Sequence, residues 1–454
     1  MNHPIDTQSS FENASVHADN SSSRYQGSDL AASLLRRLFQ HYPDGLMLRL
    51  WTGESVRVGC NPDSAASSGF SLVFKNPEAV CTAVLGRDPL RLAESYFRGD
   101  IDIEGDFFAA LSVKDHLDAI GLSGGAKLQA LFSALQLRRM NRERQRLAAS
   151  TVRHGHRVKA HSKYENRDAI HFHYDLSNEF YALWLDQRMV YSCAYFENPE
   201  VDVDRAQVAK LDHICKKLLL QPGEQFLDVG CGWGALVIHA ARHYGVRARG
   251  ITLSERQLEF ARRRIAAEGL SDRVSVDLID YRDMPNEPKY DKIASVGMFE
   301  HVGLKNLPIY FSTVHRLLKP HGLFLNHGIT HEAEGWGNTL STQFINRYVF
   351  PDGQLDTISH VESVMERAQF EIADVEALRP HYALTLRQWV ARLEKQRARA
   401  LELVSQATYR VWRLYMAASA LQFEAGDIGL YQILAAKRGS GPLDIPLTRR
   451  HLYR

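Results

Sequence analysis

Phe226-Leu227-Asp228-Val229-Gly230-Cys231-Gly232-Trp233-Gly234 reads as a short apolar strand that runs into three alternating glycines. A helical pattern follows from Ala235 to His243. A tight strand-to-helix turn needs glycine where the backbone bends sharply or where a ligand comes close. The amides at the start of such a helix face whatever sits above the strand ends. On its own this is one Gly-rich turn among many. Its weight comes from the elements that follow it.

Outward from this turn the pattern alternates. Strands are legible at Gln225–Val229, Ala248–Thr252, Val274–Leu278, Lys292–Val296 and Gly322–Asn326, with helical segments such as Glu255–Glu268 and Ile309–Leu318 between them. Short turns between strands and helices imply a parallel sheet covered on both faces. Phe370–Ala377 and Leu430–Ala436 read as two further strands, separated by a helical insertion over Thr385–Phe423. Five βα units closed by a strand pair match the class I methyltransferases that use S-adenosylmethionine (SAM). The expected fold is therefore α/β, a Rossmann-like seven-stranded sheet with a helical insertion. A dinucleotide enzyme would place an acidic residue at the end of its second strand. Here that strand ends Gly250-Ile251-Thr252-Leu253-Ser254, so Thr252, Ser254 and Gln257 offer neutral hydrogen bonds instead. After the third strand, Asp280-Tyr281-Arg282 offers a carboxylate for an adenine amino group and an aromatic face.

Composition bounds the rest. The 454 residues leave room for two or three domains, and 45% hydrophobic with 24% charged residues is ordinary for a globular chain. A net charge of +2 gives no global field toward nucleic acid. Five cysteines, at 60, 81, 193, 215 and 231, form no CxxC pair. They suit a reducing, cytoplasmic compartment and argue against a disulfide framework or a metal site. Residues 1–27 are polar and Ser/Asn-rich, and read as a disordered tail. No apolar run is long enough to span a bilayer. Residues 28–135 read as a small α+β domain, with helices at Leu30–Phe39, Pro77–Leu85 and Leu90–Phe97 and strands at Leu46–Trp51, Val56–Gly59 and Phe70–Phe74. Residues 136–163 are basic, from Arg138 and Arg139 through Arg157 to Lys163. That stretch reads either as a solvated linker helix or as a surface for anionic phospholipid, each cation near a membrane contributing about 1 kcal/mol.

From Tyr164 to the C-terminus the chain resembles the cyclopropane-fatty-acyl-phospholipid synthases, and more distantly the mycolic acid cyclopropane synthases. The resemblance rests on His173-Tyr174-Asp175-Leu176-Ser177-Asn178, Tyr191-Ser192-Cys193-Ala194-Tyr195-Phe196, the glycine turn, and Ser295-Val296-Gly297-Met298-Phe299-Glu300-His301-Val302-Gly303. It continues through Asn346-Arg347-Tyr348-Val349-Phe350-Pro351-Asp352-Gly353 and His381-Tyr382-Ala383-Leu384-Thr385-Leu386. Ala93–Asp106 is similar to the family's accessory domain. Two departures are mild: Ala235 stands where the family often has glycine, and His381 where some relatives have aspartate.

The resemblance implies a catalytic domain over 164–454 that transfers the SAM methyl to a cis double bond of a phospholipid acyl chain and closes a cyclopropane ring. It implies a bound bicarbonate as proton acceptor, held by Glu300, His327 and Tyr382 with the backbone at Cys193 and Ile329. It implies SAM contacts at Tyr191, Ser192, Gly230, Gly232, Thr252, Leu253, Gln257 and Tyr281, extended to Asp280 and Arg282. A homodimer, peripheral contact with the inner face of the cytoplasmic membrane and no nucleic-acid partner complete the expectation. The same chemistry ending in a methyl branch, or acting on another lipid or small molecule, is the alternative. A non-catalytic lipid-binding protein ranks last. Phe180, Tyr181, Trp184, Phe344, Tyr348, Phe350 and Trp389 divide between core and acyl pocket, and sequence does not sort them.

Overall fold

The computed structural model describes residues 27–43, 45–60, 67–85, 89–113, 129, 131–141, 176–333, 337, 339–350, 354–439, 441–443 and 445–453. The chain divides into two compact units, Met1–Glu165 and Asn166–Arg454. The expected tail at 1–27 lies outside the described residues except for Gly27, as does the basic stretch beyond residue 141.

The first unit carries a four-stranded sheet in the order β2-β1-β3-β4, from β1 (Gly45–Arg49), β2 (Ser55–Val58), β3 (Ser67–Phe74) and β4 (Ile101–Gly105). Leu46 and Leu48 of β1 and Val56 and Val58 of β2 alternate inward onto Ala31, Leu34 and Leu35 of the helix over 27–38. Strand β4, short and half-exposed, is absent from the sequence-based reading. Residues 131–141 are helical, and Ala134 and Leu137 pack into this same core. The expected boundary between accessory domain and linker, at 135/136, thus falls inside a helix. Arg138, read as the start of the basic surface, is paired with Glu78 at 2.5 Å.

The second unit is a seven-stranded sheet in the order β10-β11-β9-β8-β5-β6-β7. Its parallel part comprises β5 (Gln225–Val229), β6 (Arg247–Thr252), β7 (Val274–Leu278), β8 (Tyr290–Val296) and β9 (Leu318–His331). Strands β10 (Phe370–Ala377) and β11 (Ile428–Lys437) close it antiparallel. This is the α/β architecture expected, with every strand near its expected place. Helices α1 (Val203–Lys217), α2 (Ala235–Tyr244), α3 (Glu255–Ala267) and α4 (Leu307–Leu317) cover the parallel part. The insertion is α5 (Arg379–Lys395), a short helix Arg397–Leu403 and α6 (Gln406–Ala425), and α5 packs on α6. It begins earlier than expected, so Tyr382 lies in its first turns.

The largest departure is β9, which runs on from Asn326 to His331. A glycine inside a run reads as the end of a strand, yet it also marks a close approach. Gly328 is such a place. A Cβ there would lie 1.9 Å from Phe299 Cε1 and 3.0 Å from Glu300 Oε1. The strand therefore carries His327 and Ile329 toward its carboxyl end, and glycine between them admits the Phe299 ring.

Gly328→Ala has no room to relax without moving Phe299. We expect it to destabilise the fold by about 1–3 kcal/mol, the range for overpacking, read as a lowered urea midpoint. An unchanged midpoint would mean that the ring is free to move.

Candidate functional site

Parallel sheets bind ligands beyond the carboxyl ends of their strands, where strand order reverses. Here β5 has β6 on one side and β8 on the other, and a cavity of about 860 Å³ opens at that point. The turn after β5 shows why glycine is needed there. Gly230, Gly232 and Gly234 take φ of +81°, +54° and +82°. A Cβ on Gly230 would lie 2.9 Å from Met298 Cγ, whereas one on Gly232 meets nothing within 4 Å. The space above Gly232 is thus open to a ligand. The amides of Gly230 and Cys231 both donate to Ile251 O, at 3.0 and 2.9 Å, which ties the turn to β6. Any ligand contact from the turn falls to the amides that follow.

All ten residues expected at the SAM site line this one cavity: Tyr191, Ser192, Gly230, Gly232, Thr252, Leu253, Gln257, Asp280, Tyr281 and Arg282. Thr252 Oγ1 donates to Gln257 Oε1 at 2.7 Å. Leu253 is 69% exposed, an apolar surface waiting for a planar partner. Tyr281 is a buried ring, edge-on to Tyr310 at 5.2 Å. Asp280 is less free than expected, because Arg282 Nε and Nη2 engage both its oxygens at 2.8 and 2.6 Å. Two lining residues were not foreseen as ligands. Asp228, next to last in β5, has Oδ1 buried and unpartnered, and burial pushes its carboxyl up to about 7 against the pull of Lys210. Lys210 is 2% exposed, and burial brings its ammonium down to about 8. Open space over Gly232 and an unanswered buried carboxylate fit a ligand with a cationic end, as SAM has.

A second cavity, about 470 Å³, shares Tyr191, Ser192, Gly297, His301 and Phe350 with the first. Glu300, His327, Ile329 and Tyr382 line it together. Glu300 sits in a single 3-10 turn after β8, where Oε1 accepts from the Ile329 amide at 2.8 Å and Oε2 is buried without a partner. Burial pushes its carboxyl up to about 7, and that amide opposes the shift. His327 is fully enclosed, and burial holds its imidazole well below its ordinary range, with Lys210 and Lys217 adding to the effect. Gln432 Nε2 from β11 lies 3.0 Å from His327 Nδ1. With the amide donating, as placed, the proton of the neutral ring sits on Nε2, which is buried and has no partner. The cavity therefore presents one orphaned acceptor and one orphaned donor. That pairing fits a small anion bearing its own O–H, as bicarbonate does.

Ile329 and Cys193 stand differently from the expectation. The Ile329 amide is engaged by Glu300, so its part is to hold the carboxylate. Cys193 lies behind the lining, 0% exposed, with its thiol pushed up by burial and donating to Ala194 O. The thiol is a packed apolar group, not a nucleophile. The aromatics now sort themselves. Of the seven named above only Phe350 lines either of these two cavities, joined by Tyr191, Trp233, Tyr281, Tyr382, Tyr415 and Phe423. Phe180, Trp184 and Trp389 are core, and Trp184 and Trp389 support Tyr191 at 5.4 and 5.5 Å. Among the described residues no cluster is arranged to hold a metal ion, and no helix is long and apolar enough to cross a membrane.

Known proteins resemble this chain in sequence and in fold. The family model for mycolic acid cyclopropane synthetase matches residues 161–433. A probable fatty acid methyltransferase of Pseudomonas putida is 40% identical over 417 residues, 91% of this chain and 97% of that one. The cyclopropane-fatty-acyl-phospholipid synthase of Escherichia coli K12 is 38% identical over 265 residues, 58% of this chain and 66% of that one. Among solved structures, mycolic acid cyclopropane synthase CmaA1 complexed with SAH and CTAB has a TM-score of 0.55 at 34% identity, covering 62% of this chain and 99% of that one.

The raised Glu300 carboxyl has a stability consequence with a definite sign. The folded state holds this proton more tightly than the unfolded chain, whose group titrates near 4.5. The cost of ionising it is absent below 4.5, grows between 4.5 and about 7, and is complete above that. In bicarbonate-free buffer, Glu300→Gln should raise the thermal midpoint at pH 8, and the gain should shrink toward pH 5. An equal gain at both pH values would show that Glu300 is not the titrating group.

Proposed function

The chain belongs to the mycolic acid cyclopropane synthetase family of SAM-dependent methyltransferases, and we propose that it methylates the cis double bond of an unsaturated phospholipid acyl chain to form a cyclopropane. The observation that carries this reading is the pairing of two adjoining cavities, one suited to SAM and one lined by rings around two orphaned polar atoms. SAM supplies an electrophilic methyl group. Bicarbonate, held by Glu300, His327 and Tyr382, supplies a proton acceptor.

The protein's own part follows from the substrate's weakness. An alkene is a poor nucleophile, so the walls must align it with the methyl, which is a proximity task. Tyr191, Ser192 and Gly297 lie on both cavities and form the place where the two reactants meet. The faces of Phe350, Tyr382, Tyr415 and Phe423 give a carbocation-like centre electrostatic support without a bond. Tyr382 and Phe423 lie tilted by 36° at 4.8 Å, and Phe350 meets Tyr415 edge-on at 5.7 Å. The same rings exclude water, which would capture the cation. Glu300 Oε2 would accept the O–H of such an anion, and His327 Nε2–H would donate to it.

A second reading has its own support: the relative matched over nearly the whole chain is named as a probable fatty acid methyltransferase. Methyl branching begins with the same cation and parts from cyclopropanation only in which proton leaves. Mass analysis of lipids from expressing cells separates the two. One added CH₂ with loss of the alkene signal means cyclopropane; one added CH₂ with the alkene retained means a methyl branch. Unchanged lipid would defeat both. Tyr382→Phe should lower turnover by roughly two to four decades, as for lost acid–base groups, with SAM affinity intact. A near-normal rate in bicarbonate-depleted buffer would remove bicarbonate from the mechanism.

We also assign contact with anionic membrane to the basic stretch from Arg139 to Lys163, working in a homodimer at the cytoplasmic face. Vesicle binding should then weaken steadily as salt rises through screening. Binding that ignores salt would leave the stretch as a linker.

A further inference from the structure

Lys210 is a buried cation that the chemistry described so far does not use. It stands on α1 one turn from Gln207, so both side chains project from one face. That face holds the segment that separates the two cavities. Gln207 Nε2 donates to Ser192 O at 2.8 Å, and Lys210 Nζ donates to Ser192 Oγ at 2.8 Å. The Ser192 backbone is thus pinned, and its hydroxyl oxygen is already an acceptor. With the lysine on one lone pair, the hydroxyl keeps its own proton to donate and one further lone pair, and Ser192 lines the first cavity.

The cofactor's amino-acid end carries two opposite charges, an ammonium and a carboxylate. A buried charge needs a partner of opposite sign. Asp228, with Oδ1 unpartnered, answers the ammonium. The carboxylate has fewer choices. The Gly230 and Cys231 amides are engaged by Ile251 O. Arg282, the other lysine or arginine lining the cavity, is bidentate on Asp280 beside Tyr281. Of the lysines and arginines in the lining Lys210 is the one that remains, with the neutral Gly232 and Trp233 amides beside it, and its ammonium stands directly behind the Ser192 hydroxyl.

We infer that Lys210 is a positioning residue for the carboxylate of SAM: it fixes Ser192 as a hydrogen-bond donor and supplies the positive charge behind that donor. This rests on the SAM assignment and adds to it a discrimination between amino-acid and amine forms of the cofactor. Lys210 itself touches Ser192, and acts through it.

The test compares two ligands. SAM and decarboxylated SAM share the adenosine, the sulfonium and the ammonium, and differ only in the carboxylate. Titration calorimetry on the full chain should show that Lys210→Met weakens SAM binding roughly tenfold to a hundredfold, the scale of one charge-assisted hydrogen bond. Decarboxylated SAM should lose much less, and only through Asp228, whose carboxylate Lys210 helps to keep ionised. Ser192→Ala, which removes one oxygen and leaves the lysine, should reproduce the selective loss and decides the matter if Lys210→Met does not fold. The double variant should lose little more than either single one. Equal loss for both ligands, or none for SAM, would overturn the inference. A wild-type chain that binds neither ligand would defeat the SAM assignment first, and this inference with it.

Discussion

The hydrogen bond from the Ile329 amide to Glu300 Oε1 joins the 3-10 turn after β8 to the extended end of β9. It holds a carboxylate inside a cavity of aromatic rings, where charge is costly. One oxygen is satisfied by the backbone, and the other is left facing the cavity. Gly328 makes the arrangement possible, because any side chain there would collide with Phe299 and reach Glu300. From the neighbouring strand, Gln432 Nε2 engages His327 Nδ1, which leaves Nε2 facing the cavity without a partner. One backbone amide and one side-chain amide thus leave two polar atoms, Glu300 Oε2 and His327 Nε2, without a partner. Burial disfavours charge on both groups: His327 stays neutral, and the Ile329 amide works against burial to keep Glu300 an acceptor.

The wall between the cavities has a different construction. Its inner face is the Tyr191–Ser192 segment, and α1 grips this segment by Gln207 and Lys210. Asp186 caps its approach by accepting from Val190 and Arg188 amides at 2.7 and 2.9 Å. Behind Tyr191 stand Trp184 and Trp389, rigid and fully buried. A wall that must be thin enough for a methyl group to cross cannot also be thick enough to support itself. Its stiffness comes from the helix and the indoles behind it. A fraction of an ångström matters where a weak nucleophile must meet its electrophile in line.

The sheet was legible because its strands are short apolar runs bounded by glycine or charge, and α/β order is visible in one dimension. Pro77–Leu85 in the first unit was read to its ends, since proline marks the start of a helix plainly. What escaped reading were residues whose environment contradicts their type. Lys210, within Ala209-Lys210-Leu211-Asp212, has the look of a solvated helix position, yet it is 2% exposed. Gln432 sits in an apolar strand and matters only through its partner across the sheet. Tyr415 and Phe423 share a helix with core residues, and nothing in their spacing says that they turn toward a cavity. The residues carried over from the family landed together, apart from Cys193, which backs the lining instead of forming it. Ile329 lines the cavity but gives its amide to Glu300. Motifs locate such residues; they do not say which atom is already engaged.

The placement of β11 sets a schedule. It lies between β9 and β10, so the last long strand of the chain is inserted into the interior of the sheet. Gln432 and His327 are 105 positions apart. On a ribosome adding about 5–20 residues per second, the imidazole of His327 emerges several seconds before the amide that orients it. During that interval β9 has an open edge where β11 will pair, a surface that invites other strands. The glycine turn and its neighbours β6, β7 and β8 come from earlier sequence, so the nucleotide half of this unit is in hand first. A nascent chain is therefore equipped to grip its cofactor before it is equipped for chemistry, and a bound cofactor at that stage would act as a folding aid for the half that is still arriving.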